Sequence, residues 1–142
     1  LNTAPFLDST PEIADLADVV IANQTEFALL RGGDTSDLET AIADRARQKA
    51  QTVIVTLGAD GVRAATPERS FFVPALRIEP VDTVGAGDTF CGYFAASLGD
   101  GPDLERAIER ATAAASLACL APGAQPAIPF ADAVEHALRT QG

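Results

Sequence analysis

The stretch Asp82-Thr83-Val84-Gly85-Ala86-Gly87-Asp88-Thr89-Phe90 sets two glycines and an alanine directly before an acid. An apolar run follows, with Phe90, Cys91, Phe94, Ala95, Ala96 and Leu98, and predicts a buried helix from about Gly85 to Leu98. A glycine-rich turn that opens a helix aims free main-chain N–H groups at one point. The helix dipole makes that point attractive to anions. An aspartate in the same turn repels an anion, so its natural task is different: it takes a proton from a group that reacts beside the anion. An anion cradle next to a carboxylate base is what phosphoryl transfer to a hydroxyl requires.

The elements that must position this turn are legible from pattern and breakers. A short helix is expected over Pro11 to Leu16, and a buried strand over Asp18 to Ala22, ending at Asn23. Gln24 to Arg31 reads as a helix stopped by Gly32-Gly33, and Asp34 to Ala50 as another with Leu38, Ala41, Ile42 and Ala46 on one face. Thr52 to Thr56 is the clearest strand. Gly58-Ala59-Asp60-Gly61 turns it back into an antiparallel return over Val62 to Ala65. A strand is expected from Ser70 to Leu76, a helix from Pro102 to about Cys119, and a last helix from Phe130 to Thr140. Pro102 suits a first helical turn. The alternation of strands and helices predicts an α/β layered sheet.

Composition bounds the rest. The 142 residues fit one domain with a respectable core. A formal net charge of -10 argues against nucleic acid and against anionic membranes as partners. It does not argue against ATP, whose phosphates main-chain amides and Mg²⁺ can hold. No apolar run reaches membrane-spanning length and no secretory signal stands at the start, so a cytoplasmic protein is expected. Cys91 and Cys119 lie in apolar helical runs and read as reduced thiols. The single histidine, His136, reads as a surface residue, which leaves no zinc cluster and no Ser-His-Asp set. The chain has no methionine and starts Leu-Asn-Thr-Ala-Pro, which reads as a fragment of a longer product.

The commoner phosphate motifs fail. No GxxxxGK(S/T) occurs, and the third glycine of GxGxxG would fall at Phe90. DTVGAGDTF instead resembles the C-terminal signature of the ribokinase-like (PfkB) carbohydrate kinases. The resemblance covers the C-terminal half of the family pattern and runs the length of this chain. It implies a ribokinase-like layered sheet with helices on both faces. Residues 1–142 would be the C-terminal nucleotide-binding portion, with the N-terminal sugar-binding and lid half outside it.

Further segments match the same pattern, each with a structural alternative. Asn23-Gln24-Thr25-Glu26 resembles the family's N-x-x-E motif for Mg²⁺ and phosphate, with Asn23 near the nucleotide and Glu26 reaching Mg²⁺ through water. The same residues fit a helix start, with Asn23 as cap and Glu26 three positions on. Thr56-Leu57-Gly58-Ala59-Asp60-Gly61 resembles the family's nucleotide loop, and alternatively an ordinary hairpin turn. Ala121-Pro122-Gly123-Ala124-Gln125-Pro126-Ala127-Ile128-Pro129 resembles the loop that helps hold K⁺ in ribokinases. The implied ligands are the Asp82 carboxylate and the carbonyls of Val84, Ala118, Ala121 and Gly123. Ala127 stands where the family carries a serine hydroxyl, and Thr112 where relatives often carry an adenine-side Asn.

The resemblance implies an ATP-dependent sugar kinase with ATP, Mg²⁺ and K⁺ as cofactors. Asp88 would be the base, touching the sugar hydroxyl, and the Gly85, Ala86 and Gly87 amides the anion hole. The GAQP segment followed by Ile-Pro points first to D-ribose, giving ribose 5-phosphate. Fructose, 2-keto-3-deoxygluconate or a nucleoside are the alternatives, as is a non-catalytic nucleotide-binding module. The full-length protein would be a homodimer, and this chain alone would not turn over sugar.

Overall fold

A computed structural model of the chain describes residues 1–34, 36–101 and 103–141. The chain divides into two compact units, Leu1–Phe72 and Val73–Gly142.

The first unit holds a four-stranded sheet in the order β1 (Val19–Asn23), β2 (Thr52–Thr56), β3 (Gly61–Ala65), β4 (Ser70–Pro74). The last strand carries the chain onward at Phe72. β1 and β2 are parallel, so a crossover must join them; α2 (Gln24–Leu30) and α3 (Leu38–Lys49) supply it. Their apolar stripes meet one face of the sheet. Phe27, Leu30, Ala41, Ile42 and Ala46 pack with Val20, Ala22, Val53, Val55 and Ala65. Ile21, Ile54 and Ala64, on the alternate positions, are buried too. This is why both strands read as continuous apolar runs rather than alternating ones.

The first helix, α1 (Thr10–Leu16), is fastened to β2 and α3 by Gln51. The buried Gln51 amide donates to the carbonyls of Ala14 (3.0 Å) and Ala17 (2.7 Å), at the open end of α1. Its oxygen accepts from Arg45 Nε, and Arg45 pairs with Asp15. The hydrogen bond from Lys49, joined by that from Arg45, holds the Asp15 carboxyl below the usual range, against desolvation.

The second unit is helical: α4 (Ala86–Asp100), α5 (Leu104–Ala118) and α6 (Ala131–Gln141). Small side chains let α4 and α5 pack closely, and Ala107, Ile108, Ala111, Ala113, Ala114 and Ala118 are all buried. Val134 brings α6 onto Ala113 and Ala114. Arg110 joins the three helices through the Ser97 hydroxyl, Asp100 and Glu135.

Several boundaries differ from the sequence reading. α3 begins at Leu38, not Asp34: the Asp37 side chain caps it, while Asp34 closes a separate turn on the Ser36 amide. The expected start of α5 at Pro102 lies outside the described residues; Asp103 caps that helix through the Arg106 amide. α4 is not buried all round. Phe90, Phe94 and Ser97 form the buried stripe, whereas Ala95 and Ala96 face solvent, as a 3.6-residue period demands of a helix covered on one side. Cys91 and Cys119 are half-buried and form no disulfide among the described residues, and His136 is exposed. Among the described residues no helix is long and apolar enough to cross a membrane.

Candidate active site

The turn before α4 has a defined geometry. Val81 and Asp82 donate their amides to the Cys119 carbonyl at the end of α5, at 2.7 and 3.2 Å. Thr83 to Ala86 then form a tight turn closed by the Ala86 amide on the Thr83 carbonyl at 3.3 Å. Gly85 takes φ 79° and ψ 0°, the third-position geometry of a type II turn, which a side chain disfavours. The turn therefore requires the first glycine. Helix α4 opens immediately after it, with the Thr89 amide on the Gly85 carbonyl at 2.9 Å.

The free donors are not quite those expected. The Ala86 amide is engaged in the turn. The amides of Gly85, Gly87 and Asp88 donate to no acceptor among the described residues. The resemblance implies a role for the Asp88 side chain only, yet its main-chain N–H is also without an acceptor among the described residues. Its position in the first helical turn was the available signal, because the opening amides of a helix lack intrahelical acceptors. The Asp88 side chain is exposed and makes no hydrogen bond or ion pair among the described residues. Beside it, the buried Thr89 hydroxyl has no partner among the described residues.

Asp82 ties this turn to the loop after α5. Its Oδ1 accepts from the Val84 amide at 3.0 Å and its Oδ2 from the Gly123 amide at 2.9 Å. The Val84 and Gly123 amides hold its carboxyl below the ordinary aspartate range, against modest desolvation. Cys119 is pushed the other way, by burial first and by the nearby Asp82 charge second.

The carbonyls of Val84, Ala118, Ala121 and Gly123 accept no hydrogen bond among the described residues. For Ala118 the reason is local: the residue four positions on is Pro122, which has no N–H to give. Ala118 ends α5, where exposed carbonyl oxygens at the negative end of the helix dipole have the chemistry that suits a cation. Ala127 is buried, carries no side-chain oxygen and donates its amide to Ala124. Thr112 is buried, and its hydroxyl donates to the Ile108 carbonyl at 2.7 Å. Back-bonding within its own helix uses the hydroxyl proton at the position where relatives often carry an adenine-side Asn.

In the first unit, parallel register sets Asn23 beside Thr56, at the carboxyl ends of β1 and β2. Ligands of open α/β sheets bind at such ends. The capping box expected as the alternative for N-x-x-E is formed: the Asn23 side chain accepts from the Glu26 amide at 2.8 Å, and Glu26 Oε2 from the Asn23 amide at 3.0 Å. Thr3 adds a third bond to Oε2 at 2.8 Å. Glu26 Oε1 has no partner among the described residues, so the cap leaves one oxygen for a hydrated metal. Gly58, Ala59 and Asp60 form an exposed single turn of 3-10 helix between β2 and β3, and Gly58 adopts φ 59° with open space beside it. The Leu57 amide closes the loop on the Gly61 carbonyl at 2.8 Å.

Residues 1–131 match the pfkB family carbohydrate kinases, and the chain belongs to that family. It is 35% identical over 138 residues to a ribokinase of Bacillus subtilis (strain 168), a match covering 97% of this chain and 45% of that protein. The crystal structure of a ribokinase from Thermotoga maritima superposes with a TM-score of 0.89 at 32% identity, covering 98% of this chain and 48% of that one. A fructokinase from Vibrio cholerae O395, in its fructose, ADP and calcium ion bound form, gives 0.80 at 30% identity, covering 92% and 45%. The α/β fold is thus that of the ribokinases. The chain spans about half the length of the relatives it matches.

Proposed function

We propose that the protein carrying this chain transfers the γ-phosphoryl group of ATP to a primary hydroxyl of a sugar, with residues 1–142 as its C-terminal nucleotide-binding portion. One observation carries the reading: among the described residues, a solvent-facing Asp88 carboxylate without a partner follows directly on amides without an acceptor at the start of α4. The carboxylate takes the hydroxyl proton as the sugar oxygen bonds to the γ-phosphorus. The phosphorus–oxygen bond to ADP breaks in the same displacement. The amides of Gly85, Gly87 and Asp88 meet the charge on the migrating group; such donors act most strongly where charge develops.

The chain also supplies binding groups. Glu26 Oε1 orients water on Mg²⁺, which neutralises phosphate charge when bound, and Asn23 holds Glu26 in place. The loop Thr56 to Gly61 contacts the nucleotide. Asp82 and the free carbonyls of Val84, Ala118, Ala121 and Gly123 hold a monovalent cation, K⁺ first, without a hydroxyl at Ala127. The acceptor is D-ribose, forming ribose 5-phosphate. The ribokinase relatives support that choice, while the fructokinase likeness keeps fructose as the second candidate. The protein works in the cytoplasm as a homodimer.

The experiment is Asp88→Asn in the protein carrying this chain, assayed with ribose and with fructose. Loss of about 10²–10⁴ in rate is expected, with ATP binding by titration calorimetry retained. A rate within a few-fold of wild type removes Asp88 as the base. ATP–Mg²⁺ binding by a wild type that phosphorylates no sugar supports a nucleotide-binding module instead.

A further inference from the structure

Resting on the kinase reading above, we propose that Ala124 is a positioning residue for the anion cradle: its methyl group backs Gly85 and sets the aim of the Gly85, Gly87 and Asp88 amides. A Cβ placed on Gly85 would lie 2.8 Å from the Ala124 Cβ and 3.0 Å from its Cα. The two loops therefore meet main chain to methyl at this point. The contact is particular to Gly85, since a Cβ on Gly87, Gly92 or Gly99 would meet nothing within 4 Å.

Ala124 is itself fixed. Its carbonyl accepts from the Ala127 amide at 3.2 Å in the short 3-10 turn Gln125–Ala127. Next to it, the Gly123 amide is held by Asp82, whose other oxygen holds Val84. Gly85 is thus pinned from both sides, by the Asp82 bridge before it and by the Ala124 wall against it. Gly85 also caps α4, so any push at this residue tilts the first helical turn and its free N–H groups. Ala124 touches no reacting group; it acts through Gly85.

The test uses Ala124→Val in the protein carrying this chain. We expect kcat to fall by about 10–100-fold with the sugar KM within about twofold, since a displacement near 1 Å costs on that order and the amides act on charge that develops in the transition state. Gly85→Ala should also be slow. Adding Ala124→Gly to it should restore part of the loss, because the collision at 2.8 Å is relieved while the positive φ remains unfavourable to a side chain. A second readout needs no turnover: the amide NMR resonances of Gly85, Gly87 and Asp88 move in Ala124→Val, and that of Gly99 does not. Should Ala124→Val fail to fold, Ala124→Gly takes its place, with about 3–10-fold lower kcat and the same three resonances displaced. Unmoved resonances, an unchanged kcat, or a second substitution that rescues nothing overturn the proposal. Moved resonances in a protein whose wild type phosphorylates no sugar support the contact and remove the kinase reading alone.

Discussion

Asp82 Oδ2 accepts the Gly123 amide at 2.9 Å, joining positions 41 residues apart. With Val84 on its other oxygen, one carboxylate braces the turn before α4 against the loop after α5. A carboxylate that accepts two amides is stabilised in its charged form, and its pKa falls.

The sign of the pH effect follows. A folded pKa below the unfolded value contributes stability that is complete above about pH 4 and is lost as pH falls through the folded value. Asp82→Asn should lower the thermal midpoint at pH 7, and the gap from wild type should close toward pH 3. A gap equal at both pH values assigns the loss to shape rather than charge.

Gln51 should matter to folding and not to chemistry. It is buried, and its amide satisfies two carbonyls at the end of α1. Gln51→Leu leaves them and Arg45 Nε without that partner, and should cost about 1–3 kcal/mol in urea unfolding. An unchanged midpoint and slope means that water replaces the amide freely.

Asn23 and Glu26 separate a helix cap from a metal role. Asn23→Ala removes the cap and should cost about 0.5–2 kcal/mol of stability. Glu26→Gln keeps an acceptor oxygen for the cap. It should leave stability nearly unchanged and raise the Mg²⁺ concentration for half-maximal rate by about tenfold or more. An unaltered Mg²⁺ dependence leaves Glu26 as a cap alone.

The carbonyls near Asp82 predict a cation response. Replacing K⁺ by a large organic cation should slow phosphorylation, and Ala127→Ser should steepen the K⁺ dependence by adding an oxygen. Equal rates in both salts, with and without the serine, dispose of the site.

Much of the fold was legible because its signals are local. Thr52 to Thr56 was read to the residue, since an apolar β-branched run between turn residues has few other solutions. The N-x-x-E pattern fits a helix cap and forms one. The start of α3 is ambiguous in the sequence because Asp34 and Asp37 are both cap-type residues, and the aligned stripe of Leu38, Ala41 and Ile42 decides only for the second. The apolar run reads as a buried helix, but composition reports how apolar a helix is and not which side is covered, and α4 buries one stripe.

The sequence by itself determined that a glycine turn opens a helix in front of an acid, for that depends on φ preferences and on amides that no preceding carbonyl can reach. Tertiary structure decided which amides stay free, that Asp82 finds Gly123, and that Ala124 abuts Gly85. The physical reason is range. A turn is encoded by adjacent residues, whereas a partner 41 positions away is set by how α4 and α5 pack and where their loops emerge.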